Sequence, residues 1–417
     1  MSFLNVIEIE SALGGLCAAY PGVTELVRLP FATAEGRWCH ALRIRSHWQC
    51  ACRRSAVLIV SGAHAREWGG PDIVVDFAAD LLEAYAAGSA LSYGGASFSA
   101  AQIASIVERL EVIVVPDLNP DGRNHSQTVA PMWRKNRNPA SSGGDPDRIG
   151  VDVNRNYDFL WDFPTKFAPG ANPNTVASTD PASDLFHGAA GFSEAETQNV
   201  RWLFERYPWI RWFMDVHSFG GDILFSWGDD EDQTTDPSMA FGDPGWDHRR
   251  GVSGDAYREY IPAGYLSTVQ SAATAVRDAI ASVRGQPYTS AQSFGLPGWP
   301  GYPTSGASDD WSFSRHFADP SRRQTFGFTL EFNPTSTFFP SWAEMTDIIR
   351  DVDAGLVAFC LNARPGWLWV TWCHILTWLS DRVWHRLFPP ELWGPYGPWT
   401  RLRRAVYGGL GRSKRRS

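Results

Sequence analysis

The chain has 417 residues, 44% apolar and 20% charged, a balance that supports a sizeable core. It excludes a disordered acidic chain, a collagen-like repeat and a small disulfide scaffold. The length fits two or three average domains or one large α/β enzyme domain, and a net charge of −8 argues for no nucleic-acid partner.

The charge is uneven. Asn362 to Ser417 holds ten Lys/Arg, two Asp/Glu and seven of the 20 tryptophans, leaving a net −16 on the rest. An acidic body therefore carries a basic, Trp-rich appendix. The N-terminus lacks a basic region and reaches Glu8 and Glu10 at once, so it does not read as a signal peptide. No uncharged apolar run in the body reaches the ~20 residues of a membrane span. The expectation is a soluble monomer whose compartment stays open. Six cysteines (Cys17, Cys39, Cys50, Cys52, Cys360, Cys373) make no disulfide framework. Cys39-His40, His47 and Cys50-Ala51-Cys52 cluster around a hairpin loop, and their spacing suits half-buried thiols or one disulfide better than a second metal.

In chain order, Ser55 to Ser61 reads as a buried strand ending at Gly62. After Pro71, a natural first-turn residue, Ile73 to Tyr85 has helical apolar spacing. A helix over Ala100 to Leu110 leads to a second buried strand, Val112 to Val115. Ile210 to Val216 and Phe326 to Phe332 read as strands, Gly254 to Val283 as a long helix, and Ser341 to Cys360 as a closing helix. This alternation predicts a single α/β domain with a mixed, mostly parallel central sheet flanked by helices. Long Gly/Pro/Asn/Asp-rich loops lie between, including Gly228 to Gly251, whose acidic run Asp229 to Asp232 reads as a solvated loop. Composition changes at Ala363 to Gly366, so residues 1–361 are expected to form the main domain and 362–417 a separate extension.

The chemistry begins at His64-Ala65-Arg66-Glu67, just past the first buried strand. A His and a Glu three apart on a turn can supply two ligands to one zinc ion, and the C-terminal end of a strand is where α/β sites form. His217, ending the strand Arg211 to Val216, is the best third ligand. His187, His248 and His316 fall in loops or on expected surfaces.

Gly62 to Trp68 resembles the zinc-binding signature of the M14 metallocarboxypeptidases, the carboxypeptidase A/B family. Further segments follow in the family's order: Asn119 to Gly122, Met132 to Lys135, Val153 to Asn156, His187-Gly188 with Phe192 to Glu194, His217-Ser218, Tyr302 with Asp309-Asp310-Trp311, and Thr329 to Glu331. The resemblance runs from about Leu4 to Leu361 and leaves the tail outside.

It implies hydrolysis of the C-terminal peptide bond of peptides or proteins, with one zinc ion per chain held by His64, Glu67 and His217. Arg155 would fork onto the substrate's free carboxylate, with Asn154 and a mobile Tyr302 completing the clamp. Glu331 would be the general base, and Arg134 would stabilise the oxyanion by about 3–4 kcal/mol. Arg66 would line the substrate groove. Asp309 falls at the base of the pocket for the terminal side chain, where an aspartate favours Lys or Arg unless it turns away or Asp310 takes its charge partner. The runner-up is a catalytically silent relative that binds peptides. A related zinc amidase acting on cell-wall or modified peptides is disfavoured by the Arg155, Asn154 and Tyr302 clamp.

Three departures stand out. Phe219 replaces a frequent Tyr, Phe332-Asn333 replaces a charged pair, and no pro-segment is expected ahead of the catalytic domain. In the tail, Gly366 to Ser380 has no charged residue and spaces Leu368, Trp372, Ile375, Leu379 and Val383 helically. With the arginines beyond it, the profile fits a disordered extension, a helix folded on the body, or an interfacial helix making weak contact with a membrane surface.

Overall fold

The computed structural model describes residues 2–46, 55–231, 233–295 and 301–364. His47, Cys50, Cys52, Asp232 and residues 365–417 of the appendix therefore lie outside the described residues.

The strands are β1 (Thr24–Arg28), β2 (His40–Ile44), β3 (Ala56–Ser61), β4 (Leu91–Tyr93), β5 (Ala96–Phe98), β6 (Glu111–Val115), β7 (Ile210–Ser218), β8 (Asp222–Phe225), β9 (Gln233–Thr234), β10 (Glu259–Tyr260), β11 (Thr289–Gln292) and β12 (Phe326–Phe332). Eight form one sheet in the order β1-β2-β6-β3-β7-β12-β8-β11. Its centre, β6-β3-β7-β12, is parallel, and β1, β2 and β8 join antiparallel. Parallel strands buried on both faces need helices on both sides. Those helices are α1 (Val6–Ala19), α2 (Gly69–Ala87), α3 (Ala100–Arg109), α4 (Pro120–Thr128), α5 (Phe163–Lys166), α6 (Ala195–Arg206), α7 (Ala263–Arg284), α8 (Ser308–Ala318) and α9 (Trp342–Ala363).

Strand alternation assigns the two layers. Trp212 on β7 and Phe328 on β12 both meet Phe359 of α9 edge-on. Phe213 and Asp215 point the other way, to Phe204 of α6 and Ser308 of α8. His217 continues that second series, two residues past Asp215, so the sheet delivers it to the α6/α8 side. Residues up to Arg364 form one compact unit, and no described helix is long and apolar enough to cross a membrane.

The buried strands and the closing helix stand where the apolar patterning puts them. Ser341 caps α9 through a reciprocal capping box with Glu344. The long helix differs: α7 starts only at Ala263, because Pro262 occupies the cap position and residues 259–260 pair as β10 with β9. The acidic run is also corrected. Asp229 and Asp230 are fully buried, Asp230 accepting from the Gly251 amide and Asp229 lying 3.8 Å from the buried Arg250. Among the described residues Cys17, Cys39 and Cys360 are free thiols.

One contact ties the sheet to the site. A Cβ on Gly327 of β12 would stand 2.2 Å from the Asp309 carbonyl oxygen and 2.5 Å from Ser312 Oγ. Gly327→Ala is expected to overpack this contact and lower stability by about 1–3 kcal/mol, read as a fall in the denaturant midpoint. An unchanged midpoint would show that α8 can withdraw from β12 at no cost.

Candidate metal centre and active site

Gly62 turns the chain at the end of β3. Its φ is +72°, and an added Cβ would lie 2.8 Å from Asp117 Oδ1. The turn that follows is pinned by the Ala65 amide donating to the Arg134 carbonyl. His64 and Glu67 both point inward from it and are buried, as is His217 at the end of β7. One ligand atom from each of the three lies within 4.8 Å of the others.

The details favour a cation. His64 Nδ1 is 2.7 Å from Glu67 Oε1, and His217 Nδ1 is 2.9 Å from Glu67 Oε2 and 3.0 Å from His64 Nδ1. The far nitrogens face carboxylates: His64 Nε2 lies 3.1 Å from Asp152 Oδ1, and His217 Nε2 lies 3.1 Å from Asp215 Oδ2. Such partners place the ring proton on Nε2 and leave two Nδ1 lone pairs converging on a carboxylate. That arrangement is repulsive until a positive charge sits among them. Burial opposes charge on His217, yet Asp215 and Glu67 outweigh it and hold its pKa well above the usual range. Two nitrogens and one carboxylate, with outer partners in place, are the donor set of a catalytic zinc site.

Asp152 and Asp215 were not among the residues singled out from the sequence. Asp152 directly precedes Val153-Asn154-Arg155, and Asp215 shares a strand face with His217, which is the signal that could have found them. Asp152 also accepts from Arg134 Nε and Nη2 at 3.1 and 3.0 Å, and its carboxylate caps the turn Val153–Arg155. Burial would raise its pKa, but Arg134, His64 and Arg155 pull it well below the carboxylate range.

Around this centre the structure gathers most of the expected residues. Glu331 pairs in register with His217 on the adjacent strand, and its side chain stays partly exposed. Burial pushes its carboxyl up to about 8; His217 and Arg134 act against the shift, and Glu67 and Asp222 add to it. The Arg134 side chain is mostly but not fully buried; desolvation lowers its pKa, and Asp152, Tyr302 and Glu67 outweigh that and hold it above the usual value. Arg155 donates from Nε and Nη2 to the Thr175 carbonyl and from Nη1 to the Asn154 carbonyl. Of five guanidinium hydrogens, one on each terminal nitrogen is left over. Asn154 is fixed by accepting from the Ser308 amide. Tyr302 donates its amide to the Phe294 carbonyl, leaving its ring half-buried.

Asp309 is buried in the first turn of α8, where its Oδ2 accepts from Ser293 Oγ at 2.8 Å. Asp310 instead accepts from the Gly228 amide with both oxygens. Burial raises the Asp309 pKa, Ser293 and the Asp310 amide lower it, and Asp215 raises it further. Arg66 lies at the rim, 3.1 Å from Asp184 and with its guanidinium 4.7 Å over Phe338. Phe219, 38% exposed, packs its ring 4.8 Å from the same Phe338. His187 stands apart from the metal centre, buried and stacked on Trp161.

The zinc carboxypeptidase family model, Peptidase_M14, matches residues 9–354, and the chain belongs to that family. Carboxypeptidase B of Helicoverpa zea is 29% identical over 224 residues, covering 53% of this chain and 46% of that protein. An inactive metallocarboxypeptidase of Arthroderma otae is 30% identical over 205 residues, 47% of this chain and 30% of its own. The chain thus spans about half, or less, of the length of these relatives. The crystal structure of thrombin activatable fibrinolysis inhibitor superposes with a TM-score of 0.64 at 19% identity, over 87% of this chain and 74% of that one, which shows the shared fold.

Asp152 acts on two site residues at once. Asp152→Asn is expected to weaken zinc binding by about 10- to 100-fold, measured by competition against a chromogenic chelator. Unchanged affinity would mean that His64 is oriented without its carboxylate.

Proposed function

We propose that the protein is a zinc-dependent exopeptidase that hydrolyses the C-terminal peptide bond of peptides or proteins. The observation that carries this reading is the convergence of His64, Glu67 and His217 beside a partly exposed Glu331 whose own strand position is paired with His217. When bound, zinc supplies a Lewis acid that activates a water and polarises the scissile carbonyl. The remaining work falls to the chain. Arg155, with its two spare N–H groups, receives the terminal carboxylate, Asn154 flanks it, and Tyr302 closes from its loop. Glu331 takes a proton from the attacking water and passes it to the leaving amine, a task suited to a carboxylate with a raised pKa. Arg134, held by Asp152, faces the oxygen on which negative charge develops. Arg66 guides the substrate along the rim.

Asp309 supports a preference for terminal Lys or Arg. It is buried, and burial together with the negative Asp215 disfavours its charge, which an incoming ammonium or guanidinium would offset. Every residue given a role in this chemistry lies within residues 1–361. The basic residues 362–417 have the composition of a weak contact with an anionic membrane surface.

A catalytically silent relative remains the second reading, since one matching protein is an inactive metallocarboxypeptidase. Retention of both histidines, Glu67 and Glu331 favours catalysis. Glu331→Gln is expected to keep its zinc and lose about 10²–10⁴ in kcat/KM. The wild-type rate should fall as pH drops through the Glu331 pKa, because only the ionised carboxylate accepts a proton. A neighbouring divalent cation moves that limb below the metal-free value of about 8. Equal rates for wild type and variant would overturn the mechanism. For matched peptides, an Arg terminus should be cleaved about 10- to 100-fold faster than Phe, and Asp309→Ala should abolish the difference. Faster release of Phe by the wild type would sink the assignment of Asp309.

A further inference from the structure

A second group of carboxylates lies outside the active site. Asp76 and Asp80 are one turn apart on the same face of α2, where like charges destabilise a helix unless something compensates them. Asp353 reaches the same point from α9, and one oxygen from each of the three lies within 4.8 Å of the others. Asp353 is fully buried, and neither of its oxygens accepts from an amide, hydroxyl or cationic donor; its one close polar neighbour is the Asp76 carboxyl group, itself an acid. A buried carboxylate with only other acids beside it is among the most costly arrangements a fold can hold.

The charges around it offer little relief. Burial, then Asp76 and Asp80, drive the Asp353 carboxyl well above its usual range, with no cation acting on it. Burial raises the Asp76 pKa, its contact with Asp353 lowers it, Asp80 and Glu83 raise it and Arg350 acts only weakly against them, Arg350 itself lying 3.9 Å from Asp347. Among the described residues no Lys or Arg forms an ion pair with any of the three. Tyr93 Oη donates to Asp80 Oδ2 at 2.7 Å, fixing that carboxylate from the β4–β5 hairpin and leaving Oδ1 available.

We propose that Asp76, Asp80 and Asp353 bind a calcium ion that ties α2 to α9. The donor set is all oxygen, which suits a hard cation and not zinc. Oxygens on opposite sides of a calcium ion stand about 4.6–5.2 Å apart, so three atoms spread over 4.8 Å fit one coordination sphere. Asp76 is exposed, so water completes the shell. The ion neutralises Asp353 and clamps the helix that starts two residues after Glu67 to the last helix of the body.

The test uses the full-length, zinc-loaded protein freed of calcium by dialysis against a chelating resin, with zinc content checked before and after. Calcium chloride titrated near neutral pH should give single-site heats with a Kd of roughly 10⁻⁵–10⁻³ M. Saturation should raise Tm by several degrees, and magnesium chloride at matched ionic strength should not. Asp353→Asn and Asp80→Asn should each abolish the heats and the calcium-dependent rise in Tm. If Asp353→Asn fails to fold, Asp80→Asn, on the half-buried rim, decides the outcome alone. The absence of any heat or Tm change at millimolar calcium would overturn the site, as would an undiminished response in Asp80→Asn. If wild type ignores calcium while Asp353→Asn melts higher, a proton shared between Asp353 and Asp76 is the correct account.

Discussion

Two buried carboxylates each lie 3.1 Å from one nitrogen of two imidazoles, and the candidate site is organised around that constraint. With Asp152 on His64 and Asp215 on His217, the opposite nitrogens can only face inward, towards Glu67. The result is a point in space that demands positive charge. Asp152 extends the same constraint outward, since it also grips Arg134 and caps the turn bearing Asn154 and Arg155. Asp215 does likewise through Ser308, whose amide binds Asn154. Two acidic side chains thus link His64 and His217 to Arg134, Asn154 and Arg155 in one network, the residues to which the proposed function gives metal, oxyanion and carboxylate binding.

The backbone has a matching logic. β3, β7 and β12 run parallel, so the segments bearing His64, His217 and Glu331 emerge at the same edge of the sheet. Parallel strands buried on both faces carry near-continuous β-branched and aromatic runs. This is why Val57 to Val60 and Phe326 to Leu330 stand out in the sequence.

The same physics explains what was legible in the sequence and what was not. Buried strands and a capped closing helix announce themselves through apolar runs and the Ser341/Glu344 box. Edge strands β1 and β11 are half exposed and lack such a pattern, so nothing local marks them. Pro262 does mark the start of α7, but apolar spacing before it suggested a longer helix. The residues now grouped in the site were legible because their types and order match one chemistry. Asp152 and Asp215 carry no such label, since a carboxylate that orients a ligand looks like any other until the fold brings it there. The burial of Asp229 and Asp230 was hidden for the converse reason: their partners, Arg250 and the Gly251 amide, lie some twenty residues away and meet them only in the folded chain.

The pairing of Glu331 with His217 in register has a consequence for how this scaffold can change. The separation between these two residues is set by hydrogen bonds between two central strands, and sliding either strand by one residue would turn its side chains to the opposite face. Arg66, Tyr302 and Ser293, by contrast, sit on loops or turns that can be lengthened or redirected without disturbing that ladder. Under the proposed function, cleavage and selection of the substrate are thus mechanically separable. Loop exchange would then alter which chain ends are accepted, while the spacing between the Glu331 and His217 positions is inherited unchanged from the sheet.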